Sequence, residues 1–287
     1  MDVLGKFLRR SLLGCEYPFC PERKEYLQNK PAVVICQALA DIRRRVLMLD
    51  VRGKWALLTG ATRGIGYLSA IEMAKRGCNL ILHSRSVEAS EKVAEEVRSY
   101  GVEAKAVAAE LSDPDSVEAM LKEIDSFGVN VEIVMNNAGL QIAYRTDYCK
   151  TPVSDYTISF QVCTIAPAMI CYHFLPKMME AGFGRIVNTT SGIALEPEQA
   201  GYSAAKAALD KITIDLGSKV EGTNVMINLV DPGWCRTDLG GPNAPNSPES
   251  ALPGVLVGVF MDDLKSGRIF RAQEYAGMSL EEAVAKN

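Results

Sequence analysis

The sequence predicts an α/β fold, an open parallel sheet of seven strands with helices on both faces. Two observations predict it. From Lys54 onward one rhythm repeats: a short β-branched or Leu-rich apolar run, a turn, then a longer stretch with helical spacing. That alternation is the signature of βαβ units. The second observation is the glycine-rich turn Thr59-Gly60-Ala61-Thr62-Arg63-Gly64-Ile65-Gly66, which closes the first apolar run and opens a helical stretch over 67–75.

The candidate strands are 55–58, 79–83, 104–108, 133–136, 185–189, 225–230 and 268–270. A helix is expected over 86–100, with Val87, Val93 and Val97 as its apolar side and Gly101 as its stop. Another begins at Asp113-Pro114, a capping residue followed by a first-turn proline, and runs through Val117, Met120, Leu121 and Ile124. The stretch 240–254 holds Pro242, Pro245, Pro248 and Pro253 among Asn, Ser and Gly, so a long loop is expected there.

Residues 1–50 break the rhythm and read as an N-terminal helical appendage; 51–287 read as a single domain with a C-terminal tail. Ile35, Leu39, Ile42, Val46 and Leu49 recur at spacings of four and three, one side of a helix. Ahead of them Phe7, Tyr17, Phe19 and Tyr26 alternate with prolines, too few residues for a core of their own. An appendage docked on the main domain is expected, its aromatic part over the site or serving as a subunit contact.

Composition excludes several functions. The 287 residues are 48% apolar and 23% charged, with 31 basic against 35 acidic side chains. No cationic face tracks a phosphate backbone, so no nucleic-acid partner is expected. No apolar run approaches the ~18 residues a bilayer span needs, so no membrane is expected either. Lys6, Arg9 and Arg10 ahead of Cys15 lack the apolar region of a lipoprotein signal. Eight scattered cysteines without a C-x-x-C pair suggest reduced thiols and a cytoplasmic protein. With His83 and His173 the only histidines, no metal is expected.

The glycine turn lets backbone N–H groups approach an anion at a helix N-terminus. Its spacing is neither G-x-G-x-x-G nor a G-x-x-x-x-G-K-[ST] phosphate loop. It resembles instead the T-G-x-x-x-G-x-G of the short-chain dehydrogenase/reductase family. The resemblance continues through Asn136-Asn137-Ala138-Gly139, Ser191, Tyr202-Ser-Ala-Ala-Lys206 and Pro232-Gly233, and covers roughly 51–275. It implies an NAD(P)-dependent oxidoreductase on a Rossmann-type doubly wound sheet of order 3-2-1-4-5-6-7, usually a homotetramer. Within the family the pattern looks closest to bacterial hydroxysteroid dehydrogenases, with a 20β-hydroxysteroid enzyme as the sharpest reading. A reductase of 3-oxoacyl or other lipophilic carbonyls is the alternative, and a non-catalytic dinucleotide sensor the alternative of another class.

Tyr202 and Lys206 are four apart in a segment of helix formers, so they share a face. An ammonium near a phenol favours phenolate, and the pair can then exchange a proton with an alcohol or carbonyl oxygen. Ser191, eleven residues before Tyr202 and beyond the fifth strand, is expected to donate to the substrate oxygen, with Thr190 as second choice. The resemblance gives the cofactor Gly60, Thr62, Arg63, Gly64, Ile65 and Gly66, then Glu110 and Leu111 at the adenine and Asn137, Ala138 and Gly139 at the ribose. It adds Tyr202, Lys206, Pro232, Gly233, Trp234 and Thr237. Ser84 stands where an NAD-type Asp would be, so Arg85 and Arg63 lean towards NADP(H), whereas the steroid-dehydrogenase likeness leans towards NAD(H).

One residue departs from the family. Cys163, in Val162-Cys163-Thr164-Ile165-Ala166-Pro167, replaces the Asn that usually helps hold a water beside the lysine. A thiol does not reproduce an amide, and Thr164 or water alone is expected to take over. A lipophilic small-molecule substrate is expected against Ile193, Leu195, Trp234 and Leu239, with Leu252, Val255, Met261, Ile142, Tyr144 and Tyr148 nearby.

Overall fold

The computed structural model describes residues 48–287. Seven parallel strands form one sheet in the order β3-β2-β1-β4-β5-β6-β7. They are β1 Trp55–Thr59, β2 Asn79–Ser84, β3 Ala104–Ala108, β4 Val131–Asn136, β5 Gly184–Thr189, β6 Val225–Asp231 and β7 Ile269–Arg271. Each expected strand exists within two residues of its expected bounds. The chain starts at β1, winds outward to β3, then crosses to β4 on the far side. The crevice at the carboxyl ends of β1 and β4 is therefore the switch point where such sheets bind ligands.

Helices α1 Gly64–Lys75, α2 Val87–Arg98 and α3 Pro114–Ser126 connect the first four strands. Ser86 caps α2 and Asp113 caps α3, each accepting a backbone N–H, and Pro114 sits in the first turn of α3. Val93 and Val97 are buried as expected, but Val87 is exposed at the start of its helix. Two apolar clusters form, one on each face of the sheet. Leu58, Leu80, Leu82 and Phe260 belong to the first, and Leu57, Ile81, Val134, Phe174 and Ile227 to the second.

Two expectations fail on proline and on length. The stretch 240–254 is not all loop: a 3-10 turn, Pro248–Ala251, leads into α7, Leu252–Phe260, with Pro253 in its first turn. A proline there forfeits no helical hydrogen bond. The helical run Val153–Ala181 is long and apolar enough to cross a bilayer by length and composition, contrary to the sequence reading. Here most of its apolar window packs inside the fold. It divides into α4 Val153–Phe160, a π turn Gln161–Ile165, and α5 Ala166–Ala181. Helix α6, Ala200–Lys219, lies beside it, and α8, Leu280–Ala285, ends the chain with a capping box.

The expected appendage and its helix lie outside the described residues, apart from the end at Leu49. Leu49 is not helical; its N–H donates to the Phe260 carbonyl at 2.8 Å, and Met48 bridges to Met261.

Behind the switch point a buried polar chain ties the sheet to α6. Asn136 Nδ2 donates to Asn188 Oδ1, Asn188 Nδ2 to Thr213 Oγ1, and Thr213 Oγ1 to the Leu209 carbonyl, each at 2.8 Å. Replacing Asn188 by Ala removes two buried hydrogen bonds, from Asn136 and to Thr213, each worth ~0.5–1.5 kcal/mol. Chemical denaturation should show a loss of about 2 kcal/mol or more; a loss below about 0.5 kcal/mol would mean the chain does not hold the strands to the helix.

Candidate active site

The glycine turn is shaped by a close approach. A Cβ on Gly66 would stand 2.1 Å from the Gly60 carbonyl oxygen and 2.5 Å from Asn137 Nδ2, so only glycine fits. Asn137 fastens the turn from β4: its Nδ2 donates to the Thr59 and Gly60 carbonyls at 3.0 and 3.2 Å. Thr59 Oγ1 accepts from the Asn137 and Ala138 N–H groups, both at 3.0 Å. Thr59, the first residue of the glycine motif, thus closes the β1–β4 crevice. His83 supports the turn from beneath, with Gly60 N–H directed to its Nδ1 and its Nε2 at the Ala109 carbonyl. Burial pushes its pKa down, which keeps the imidazole neutral.

The turn fits a dinucleotide. Arg63 precedes α1 without capping it by a side-chain hydrogen bond, and the first turn carries no acidic residue. The helix's own first turn thus places no carboxylate at its positive end. Thr62 and Ile65 flank Gly64 there, partly buried. At the end of β2 the Ser84 hydroxyl is bonded within the turn to Ser86, and Arg85 is exposed beside it. Glu110 is exposed near Arg85; the Ser112 N–H holds its carboxyl below the usual range, and the Ser112 hydroxyl and Arg85 add to that. Leu111 turns its side chain into the core instead.

Across the crevice, α6 brings Tyr202 and Lys206 to one buried face. Close packing makes this possible. A Cβ on Gly201 would stand 2.7 Å from the Asp155 carbonyl oxygen, so α6 meets α4 backbone to backbone just before Tyr202. Thr164, from the π turn, donates its hydroxyl to the Ala205 carbonyl at 2.7 Å. That bond commits the Thr164 proton and leaves its oxygen as an acceptor. Cys163 donates to the Leu140 carbonyl at 3.4 Å and lies near both Tyr202 and Lys206.

Lys206 is 3% exposed, and its ammonium donates to the Thr189 carbonyl at 2.7 Å. It stands 5.8 Å from the centre of the Tyr202 ring. The phenol shares a hydrogen bond with Ser191, whose Oγ also accepts from the Ile193 N–H at 3.2 Å. The three residues therefore converge. Thr190 is buried beside Asp210, one turn beyond Lys206: its N–H donates to the Val230 carbonyl at 2.8 Å, and its side chain opposes the burial that pushes the Asp210 carboxyl up.

The expected acidic phenol is not what this geometry gives. Burial pushes the Tyr202 pKa above its ordinary value, with the nearby Cys163 and Asp231 adding to it and the Ser191 hydrogen bond opposing. Burial also lowers the Lys206 pKa against the pull of Cys163, Asp210 and Asp231. Desolvation of the charged form is the largest cause of both shifts.

The substrate-side expectations divide. Leu195, 99% exposed, Trp234, Leu239, Tyr144 and Tyr148 are exposed, and Ile193 is partly so. Val255, Met261 and Ile142 are core, and Leu252 packs against it. Trp234 Nε1 donates to the Gly240 carbonyl, and Pro232 accepts from Gln273 Nε2. Gly233 N–H donates to Asp231 Oδ1, and Thr237 lies against Gly64 at the glycine turn. Arg145 is paired with Asp155, and Arg236 is bonded to the Ala244 and Pro245 carbonyls.

Residues 54–247 match the family model described as short chain dehydrogenase. The chain belongs to the short-chain dehydrogenase/reductase family. It is an oxidoreductase acting on alcohols and ketones with NAD(P). This dehydrogenase is 32% identical over 194 residues to a 3-oxoacyl-(acyl-carrier-protein) reductase of Aquifex aeolicus, covering 67% of this chain and 77% of that one. In fold it resembles a 3-oxoacyl (acyl-carrier-protein) reductase of Agrobacterium tumefaciens with NADP bound, at a TM-score of 0.70 and 23% identity over 77% and 93% of the two chains. An acetoin dehydrogenase of Enterobacter cloacae gives a TM-score of 0.67 at 26% identity over 76% and 93%.

Because burial raises the phenol, Tyr202 should remain protonated at pH 10 in the free dehydrogenase. A phenolate difference spectrum between wild type and Tyr202→Phe should be flat up to that pH. Its folded pKa exceeds the unfolded one, so its contribution to stability is complete below about pH 10 and fades as pH rises further. A phenolate step at or below pH 8 would contradict this.

Proposed function

We propose that this dehydrogenase interconverts a bulky lipophilic ketone and its secondary alcohol, with Ser191, Tyr202 and Lys206 as the catalytic set. The observation that carries the reading is the convergence of a buried phenol, a hydroxyl bonded to it and a buried ammonium one helical turn away. When bound, the nicotinamide cofactor supplies or accepts the hydride. Gly60 to Gly66 hold its diphosphate, Asn137 to Gly139 line its ribose, and Lys206 holds it near Tyr202. Ser191 donates to the substrate oxygen as charge grows there, while the Tyr202 hydroxyl delivers the proton. Burial keeps the phenol in the protonated form that this role starts from. The Lys206 charge favours the tyrosine oxygen after the transfer, and a proton from solvent restores the hydroxyl. With no carboxylate at 84–86 and Arg85 exposed beside Ser84, the cofactor assigned here is NADP(H).

The substrate assignment rests on the exposed apolar rim of Leu195, Trp234, Leu239 and Tyr144. Both nearby guanidiniums, Arg145 and Arg236, are engaged within the chain, which disfavours a phosphorylated substrate. A steroid ketone reduced at the 20β position is the sharpest form of this reading. A 3-oxoacyl thioester is the second, favoured by the name of the Aquifex relative. A reducing, cytoplasmic setting agrees with the thiols of Cys78 and Cys171, which burial pushes up to about 12.

A homotetramer belongs to the same proposal. Ile165, Tyr172 and Met179 recur every seven residues along the π turn and α5, all exposed. They form one apolar stripe suited to a second copy of this helix. Light scattering should give a smaller particle for Tyr172→Glu than for wild type; an unchanged mass would remove the stripe from the interface.

Cofactor oxidation with a ketone panel tests the chemistry. Tyr202→Phe should lower kcat by roughly 10²–10⁴-fold, and wild type should prefer steroid or long-chain ketones over small sugars. Retained activity would remove Tyr202 from the mechanism, and a preference for sugars would remove the lipophilic substrate.

A further inference from the structure

The segment after β6 lies against the glycine turn, and one ion pair fastens it there. Arg63 Nη1 meets Asp238 Oδ2 at 2.6 Å. On one side of Asp238, Thr237 Cγ2 is 3.1 Å from where a Gly64 Cβ would stand. On the other, Leu239 Cδ1 is 3.7 Å from a Cβ position on Gly139, a position only 3.8 Å from Lys206 Nζ. Three successive residues thus touch the turn, its arginine and the Gly139–Lys206 floor. These are the surfaces that the proposed function assigns to the diphosphate and ribose of the dinucleotide.

The segment holds its own shape. Gly241 N–H donates to the Thr237 carbonyl at 2.8 Å, Gly240 N–H to Thr237 Oγ1 at 3.1 Å, and Trp234 Nε1 to the Gly240 carbonyl at 2.7 Å. It is a compact strap rather than a loose loop. The pair that pins it is open to water, with the two side chains 65% and 70% exposed. Such pairs are weak and exchange partners easily. A phosphate offers a guanidinium more charge and paired acceptor oxygens.

We propose that Asp238 competes with a cofactor phosphate for Arg63, so that it sets dinucleotide affinity and releases the Thr237–Leu239 strap when Arg63 changes partner. The proposal rests on the dinucleotide reading of this groove. Removing the Asp238 charge frees Arg63, while every residue of the glycine turn stays in place. The gain must therefore depend on Arg63. A general relief of negative charge would not.

Calorimetric titration of the full chain with NADPH and with NADH, at low and high salt, tests this. Asp238→Asn should tighten NADPH binding about two- to five-fold at low salt, the range a surface ion pair supports, and less at high salt. Asp238→Ser should behave alike. In an Arg63→Ala background the same substitution should change nothing. A gain confined to NADPH locates the exchange at the 2′-phosphate, and an equal gain for NADH at the diphosphate; both support it. No gain, a weaker complex, or the same gain without Arg63 would overturn it. If wild type bound neither dinucleotide, the functional reading itself would fall; if wild type binds and Asp238→Asn is unchanged, only this inference falls.

Discussion

A buried cation governs the arrangement of this protein. Lys206 carries an ammonium in a place that water barely reaches, and the Thr189 carbonyl is its hydrogen-bond acceptor. Burying a charge is unfavourable unless neighbours compensate it. The compensation comes from the Thr189 carbonyl at the end of β5, from Cys163 in the π turn and, further off, from Asp210 one turn along α6 and Asp231 at the end of β6. For these to face Lys206, α6 must lie tightly against both the sheet and α4. Gly201 permits the close approach, Thr164 bonds the π turn to α6, and Asn188 with Thr213 fixes the helix to the strand. Moving any of these contacts would move the ammonium.

The two halves of the site are built by different means. Around the glycine turn the backbone does the shaping: glycines without side chains, Thr59 and Asn137 stitching β1 to β4, and an α1 N-terminus without a side-chain cap. Around Tyr202 and Lys206 the shaping is by side chains, two from α6 and Ser191 from beyond β5. The sheet joins them because its strand order reverses between β1 and β4, which leaves a crevice between the glycine turn and α6. The exposed apolar side chains Leu195, Trp234 and Leu239 come from the loops after β5 and β6. Loops at the carboxyl end of a sheet vary without disturbing it, so reaction class and substrate class are separable properties of this fold.

Much of this was legible in the sequence. Strand positions follow from apolar runs bounded by turns, and all seven appear close to where they were expected. Tyr202 and Lys206 share a face because helical spacing requires it, and Ser191 follows from its place beyond β5. Other features needed three dimensions. Spacing shows that a phenol and an ammonium are neighbours but not how dry their surroundings are, so the direction of the Tyr202 shift came out opposite to expectation. Val255 and Met261 looked like pocket residues by proximity in sequence, yet α7 turns them into the core. Pro253 looked like a helix breaker, although a first-turn proline breaks nothing. The Arg63–Asp238 pair joins residues 175 positions apart and left no local sign.

The proposed chemistry depends on a phenol which burial keeps protonated and on the buried ammonium one helical turn away. The most direct measurement is the pH dependence of alcohol oxidation at saturating cofactor, for wild type and for Lys206→Met. With the ammonium removed, only the Ser191 hydrogen bond still offsets the burial of the phenolate, so the limb that rises with pH should move upward by about one unit or more, roughly the weight of one nearby charge. A profile that keeps its midpoint in Lys206→Met would contradict the account.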